Sequence, residues 1–195
     1  RKLDDAEIHG VVYAMVLDQY LNEVSPPTEI GRAPRGFTAD SVVVGAYDGA
    51  RVLAAWTERR EGDETSRVVT RAVRPAGTPI GAAPRGLSES PGDQIRPAVT
   101  PLGTRDGFAL AWASRGDPSD EDLSGWGIRV RVVDGHGDPL FTNQACGAGE
   151  FQVNEIHDGD QSQPSLTTLG DGSILAVWTG SDISETGIRA RAWQP

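Results

Sequence analysis

The chain has 195 residues, room for one ordinary domain with one core, and its 24 glycines and 13 prolines cut it into short elements, which excludes a fold dominated by long helices. Its 18 basic and 28 acidic side chains give a formal charge of −10, so the sequence-independent attraction that holds proteins on nucleic acid is missing. No apolar run of about 18 residues exists to cross a membrane as a helix, and a single cysteine excludes an internal disulfide and a Cys-rich zinc site. Starting at Arg1 without a basic-then-apolar leader, the chain reads as a mature or trimmed polypeptide.

From the N-terminus, Asp4 or Asp5 can cap a helix with Glu7 in its first turn. Ile8, Val11, Val12, Met15 and Leu21 then give a helical apolar stripe up to Ser25-Pro26-Pro27. Residues 1–28 are therefore expected as a short helical segment, packed on the domain or on a partner copy, with docking of the domain elsewhere as the alternative, and residues 29–195 as the domain itself.

That domain is repetitive. RVLAAW, GFALAW and SILAVW end at Trp56, Trp112 and Trp178, each run following an Asp-Gly pair. Downstream, VVTRAV, IRVRVV and IRARAW place Arg71, Arg131 and Arg191 at equal intervals of 60 residues. Gly77-Thr78-Pro79-Ile80 and Gly137-Asp138-Pro139-Leu140 follow, again 60 apart. Gln94-Ile95-Arg96-Pro97 and Gln161-Ser162-Gln163-Pro164 open the second and third copies. IGRAPRGF at 30–37 returns as IGAAPRGL at 80–87, so the segment before the first copy equals the one that closes it.

Each copy reads as four short strands: one after Gln-x-x-Pro, an Asp-Gly hairpin into a second that ends at the tryptophan, an alternating third that carries the arginine, and a fourth after the Gly-x-Pro turn. The expected fold is all-β and propeller-like: three four-stranded blades per chain, with tryptophans between blades, and a short N-terminal helix. The phase is offset, with a lone fourth strand leading and a last blade that lacks one. Three blades are too few to close a ring. Either two copies form a six-bladed homodimer, each leading strand finishing the partner's last blade, or further blades come from another chain.

The combination of Gln-x-x-Pro, Asp-Gly before a run ending in Trp, Gly-Ile-x-x-Arg and Gly-x-Pro resembles tandem repeats of bacterial secreted and cell-surface proteins, such as large repeat adhesins and myxobacterial surface lipoproteins. The resemblance covers about 38–195 and is clearest from Gln94 to Asp160, which includes Phe151-Gln152-Val153-Asn154. It implies propeller blades and an extracellular or cell-surface location, without a defined enzyme activity. The first copy departs by lacking Gln-x-x-Pro, and the second by an insertion, 141–150, that holds Cys146.

No catalytic residue stands out: there is no Gly-x-Ser-x-Gly, and His9, His136 and His157 lack the spacing of a metal pair. Turn carboxylates, Asp117, Asp120, Glu121, Asp122, Asp158, Asp160 and Asp182, read as solvated charge and Asx turns. Calcium is the one cofactor such loops would suit, but the spacing of a calcium repeat is absent, so no cofactor is expected. Arg71, Arg131 and Arg191 read as a repeated structural pair, with the arginine cluster of a sialidase-type propeller as the alternative. Trp126, without a counterpart in the other copies, is the candidate ligand platform; its competing reading is a loop tryptophan folded onto the blade. Cys146 reads as a free or partner-linked thiol. The functional expectation is a non-catalytic module, secreted or at the cell surface, that binds protein or glycan or builds an assembly; the alternative is a glycan-processing hydrolase.

Overall fold

The computed structural model describes residues 10–47, 49, 51–62, 65–88, 92–103, 105–116, 125–140, 149–181 and 186–195. Its strands are β1 (Val11–Leu17), β2 (Glu23–Arg32), β3 (Phe37–Tyr47), β4 (Arg51–Arg60), β5 (Ser66–Val73), β6 (Arg85–Gly86), β7 (Asp93–Pro101), β8 (Phe108–Arg115), β9 (Gly127–Val133), β10 (Glu150–Gln152), β11 (Gln161–Thr168), β12 (Ile174–Ser181) and β13 (Thr186–Trp193), and no helix occurs among the described residues. They form four antiparallel sheets in chain order: the hairpin β1-β2, sheet I (β3-β4-β5-β6), sheet II (β7-β8-β9-β10) and sheet III (β11-β12-β13).

The repeats in the sequence are repeated hydrogen bonds in space. In the turn after β5, Arg74 N donates to Thr78 O and Gly77 N to Arg74 O; after β9, Asp134 N donates to Asp138 O and Gly137 N to Asp134 O. Ile80 N then bonds Ala72 O as Leu140 N bonds Val132 O, returning the chain for the fourth strand. At the Asp-Gly turn before β12, the Asp171 carboxylate accepts Ser173 N at 2.9 Å, Gly172 takes φ +85°, and the bonds from Ser173 hold Asp171 below the ordinary carboxylate pKa.

Each first strand also carries the same bulge. Register shifts fall between Asp40 and Val43 in β3, Ile95 and Ala98 in β7, and Ser162 and Ser165 in β11. Within them Ser41, Arg96 and Gln163 take φ of 53°, 55° and 55°, a left-handed conformation that costs roughly 1–3 kcal/mol in a non-glycine residue. In β7 the bulge aims Arg96 N at the Thr57 hydroxyl of sheet I, 3.2 Å away. Gln-x-x-Pro is thus the sequence trace of the bulge, and the first copy builds the same bulge from Asp40-Ser41-Val42 without it.

Packing between sheets follows the tryptophans. Trp112 lies with Leu53, Ala55, Val68, Ala72 and Leu87 of the preceding sheet, and Trp178 with Ala111, Ala113, Ile128, Val130 and Val153 of its own preceding sheet. Trp56 does the same with Val12 and Ile30 of the hairpin. Gly31 permits that approach, because a Cβ there would stand 2.5 Å from the indole of Trp56.

The N-terminal segment departs from the expected helix. Residues 1–9, which hold Asp4, Asp5, Glu7, Ile8 and His9, lie outside the described residues. From Val11 onward the chain is a strand: Val12, Ala14 and Val16 turn inward while Tyr13, Met15 and Leu17 are exposed, a period of two rather than 3.6. β-Branched Val11, Val12 and Val16 favour that state, and Asp18 ends it by accepting Tyr20 N at 2.8 Å and Asn22 N at 2.9 Å in an Asx turn. The leading strand is therefore not left over. Val11 pairs with Arg32 and Val12 with Gly31, so Ile30–Arg32 already has its partner inside the chain, and the hairpin crosses the expected boundary at 28/29.

At the other end β13 has no fourth strand among the described residues. Most of it is exposed, Ile188 at 74%.

Candidate functional site

Trp126 stands in a corner where sheets II and III meet. Its N–H donates to Asp160 Oδ1 at 3.1 Å and its carbonyl accepts Gln161 N at 2.7 Å, which ties the residue to the start of β11. The ring is half-buried against the cluster around Val130 and Trp178, with the Arg115 guanidinium 4.7 Å from its centroid. Arg115 also pairs with Asp93 at 3.0 Å, and Asp93 accepts Ser66 N at 2.9 Å, so a polar line runs from the Trp126 corner to sheet I. Residues 117–124, including Asp117, Asp120, Glu121 and Asp122, lie outside the described residues, as do Asp182 and Cys146.

The repeated amides seal the joints between sheets. Gln94 Oε1 accepts Val68 N at 3.2 Å, so the glutamine that opens β7 satisfies a strand-end donor of sheet I. At the next joint Asn154 Oδ1 accepts Ile128 N at 2.8 Å, its Nδ2 donates to Gln161 Oε1 at 2.9 Å, and Gln161 Nε2 donates to the carbonyls of Asp158 and Gly159. The sequence offered the signal for these clamps in Gln-x-x-Pro and Phe151-Gln152-Val153-Asn154, but a strand end that needs a partner is visible only in three dimensions.

The three arginines occupy equivalent places on β5, β9 and β13, one per sheet. Arg131 Nη1 donates to Leu87 O and Arg191 Nη1 to Val153 O, each reaching the strand that closes the preceding sheet. Their charges meet Glu150 at 3.4 Å and Glu155 at 3.2 Å. Arg71 behaves differently: its Nη2 donates to Gly81 O within its own sheet at 2.7 Å, and burial with Arg85 nearby pulls its pKa below the ordinary arginine value.

Two carboxylates are buried among the described residues, and arginines hold both. Glu58 accepts Arg67 Nη2 at 2.7 Å and the Trp56 indole N–H at 3.3 Å. Glu150 faces Arg129 at 3.7 Å and Arg131 at 3.4 Å, and accepts the Ser88 hydroxyl at 2.8 Å. His136 lies beside Arg51 at 3.0 Å, and a guanidinium can only donate, so the imidazole Nε2 accepts. Among the described residues no group of three or more His, Cys, Asp or Glu side chains could hold a metal ion, and no helix is long and apolar enough to cross a membrane.

No protein-family model and no curated protein matches the chain. Solved structures do. The alpha-L-arabinanase of Penicillium chrysogenum, determined with arabinobiose, superposes with a TM-score of 0.53 at 14% identity, over 87% of this chain and 50% of that one. The GH43 endo-arabinanase of Bacillus licheniformis gives 0.50 at 14% identity, over 80% of this chain and 51% of that one. The chain thus spans about half the length of these arabinanases, which are five-bladed β-propellers. At this identity the likeness speaks for architecture alone, and the fold is all-β with propeller-like sheets.

Proposed function

We propose that the chain is a non-catalytic propeller module that binds a glycan or a protein, with the Trp126 corner as its contact surface and a secreted or cell-surface location. The carrying observation is that arginines hold both buried carboxylates among the described residues. Glycoside hydrolysis needs two carboxyl groups facing one cleft, whereas Glu58 lies in sheet I and Glu150 in sheet II, each engaged by arginine. Trp126 beside Arg115 offers what recognition needs: an aromatic edge for a sugar ring or an apolar side chain, and an adjacent cation. A second reading, a glycan-processing hydrolase, is favoured by the fold likeness to two arabinanases.

A glycan array run with a hydrolysis screen on arabinan and sialosides separates the two. The expected result is retention without turnover, with binding lost in Trp126→Ala while the thermal midpoint falls by less than that of a core tryptophan variant. Turnover of any of these glycans by the purified chain overturns the first reading.

The same proposal includes partners for the exposed β13: three blades' worth of sheet are completed by a second copy or by further blades of another chain. Exposed Ile188 and the double length of the arabinanase neighbours support it. Sedimentation at micromolar concentration is expected to give a mass of two chains, and a monomer throughout overturns the homodimer.

A further inference from the structure

The register of the sheets exposes a difference between equivalent arginines. In sheet II Glu150 pairs opposite Arg131 and neutralises it. In sheet I Thr70 pairs with Arg85, and one step further along that register the residue opposite Arg71 is Pro84. A proline thus stands where the next copy has its glutamate. The carbonyl that would be the counterpart of Leu87 O is Phe37 O, and it already accepts Gly10 N. Arg71 is only 6% exposed, yet its Nε and Nη1 are buried with no hydrogen-bond partner, and among the described residues no carboxylate pairs with it.

Arg71 lines a pocket of about 130 Å³ together with Thr70, Ile80 and Gly81, and the exposed Arg85 and Asp138 border it beside His136. Two guanidiniums contribute two positive charges and Asp138, paired with Arg85, one negative charge. The two arginines and Asp138 leave the pocket with one uncompensated positive charge on a desolvated group. We propose that this pocket binds a small oxyanion of carboxylate or phosphate size, seated on Arg71 and held at the mouth by Arg85. The guanidinium fork suits such groups because it can offer two N–H donors to two oxygens at once. The volume matches a group of a few heavy atoms, since liquid water takes about 30 Å³ per molecule. This site stands apart from the Trp126 corner and does not depend on the role proposed for it.

The test is thermal unfolding of the full chain at fixed ionic strength, chloride being exchanged for acetate or for inorganic phosphate up to about 50 mM. The expected result is a midpoint raised by about 3 °C once the anion exceeds its Kd tenfold. The rise is absent in Arg71→Met, shifted to several-fold higher concentration in Arg85→Gln, and unchanged in Arg35→Met, which removes an exposed charge elsewhere. The anion with the larger effect identifies the source of the oxyanion. Should Arg71→Met fail to fold, the exposed Arg85→Gln variant carries the test. No response in the native chain, or the same response in native chain and Arg85→Gln or Arg71→Met, overturns the proposal.

Discussion

Trp112→Ala is expected to lower the unfolding free energy by about 3–5 kcal/mol, the range for deleting a large buried aromatic side chain. The indole is 0% exposed and is gripped from both sides: by Phe108 and Leu110 of its own strand, and by Leu53, Ala55, Val68, Ala72 and Leu87 of sheet I. The small residues Ala55 and Ala72 are what make room for it, and the backbone of two complete four-stranded sheets cannot collapse into the space an alanine would leave. In urea the midpoint moves down with the slope unchanged, because the surface exposed on unfolding hardly differs. Trp112→Phe loses much less, since the Trp112 Nε1 has no hydrogen-bond partner to forfeit. Trp178→Ala loses less than Trp112→Ala, because sheet III is covered on one side only. Equal losses at Trp112 and Trp178 would contradict the stacking described above.

Glu150→Gln is expected to cost about 3–5 kcal/mol, the usual penalty for removing one partner of a buried ion pair. The carboxylate is shared by Arg129 and Arg131, all three side chains being at most 7% exposed, and it accepts Ser88 Oγ from the segment after β6. Taking away its charge leaves two guanidiniums desolvated beside a neutral amide. Arg131→Met is milder, about 1–3 kcal/mol, because Arg129 still neutralises Glu150 and what is lost is mainly the bond to Leu87 O. In the double variant the two losses should fall short of their sum, the sign of a direct coupling that urea unfolding of all four proteins measures. If instead Arg131→Met left stability untouched while abolishing ligand binding, the arginine would be a recognition residue and the structural account of the repeat would be wrong.

Much of this architecture could be read along the chain. Trp56, Trp112 and Trp178 lie on second strands as expected, although each strand runs three or four residues past its tryptophan, and the 60-residue interval between Gly77 and Gly137 is the same turn with the same bonds. The N-terminal segment was misleading because Val11, Val12 and Met15 fit a helical stripe and an alternating strand about equally well over so short a run. Trp56 decided the matter: it needs a surface to lie against, and a hairpin edge bearing Gly31 supplies one. Of the site, Trp126 was visible as an unmatched residue, while the line from Trp126 through Arg115 and Asp93 to Ser66 joins residues 60 positions apart that no local pattern connects.

Beyond the N-terminal hairpin, the sequence by itself determined the strand order, the turns and the layers between sheets, because period-two alternation, Asp-Gly and Gly-x-Pro are local consequences of backbone sterics that need no distant partner. Only the tertiary structure decided which charges are compensated. Arg71, Arg131 and Arg191 are indistinguishable as letters at equal spacing, yet the residue facing each across the sheet, and the carbonyl each can reach, are set by register and by the neighbouring sheet. Electrostatic free energy depends on the distance and desolvation of those partners rather than on sequence position, so the same residue type locks one joint and opens a pocket at another.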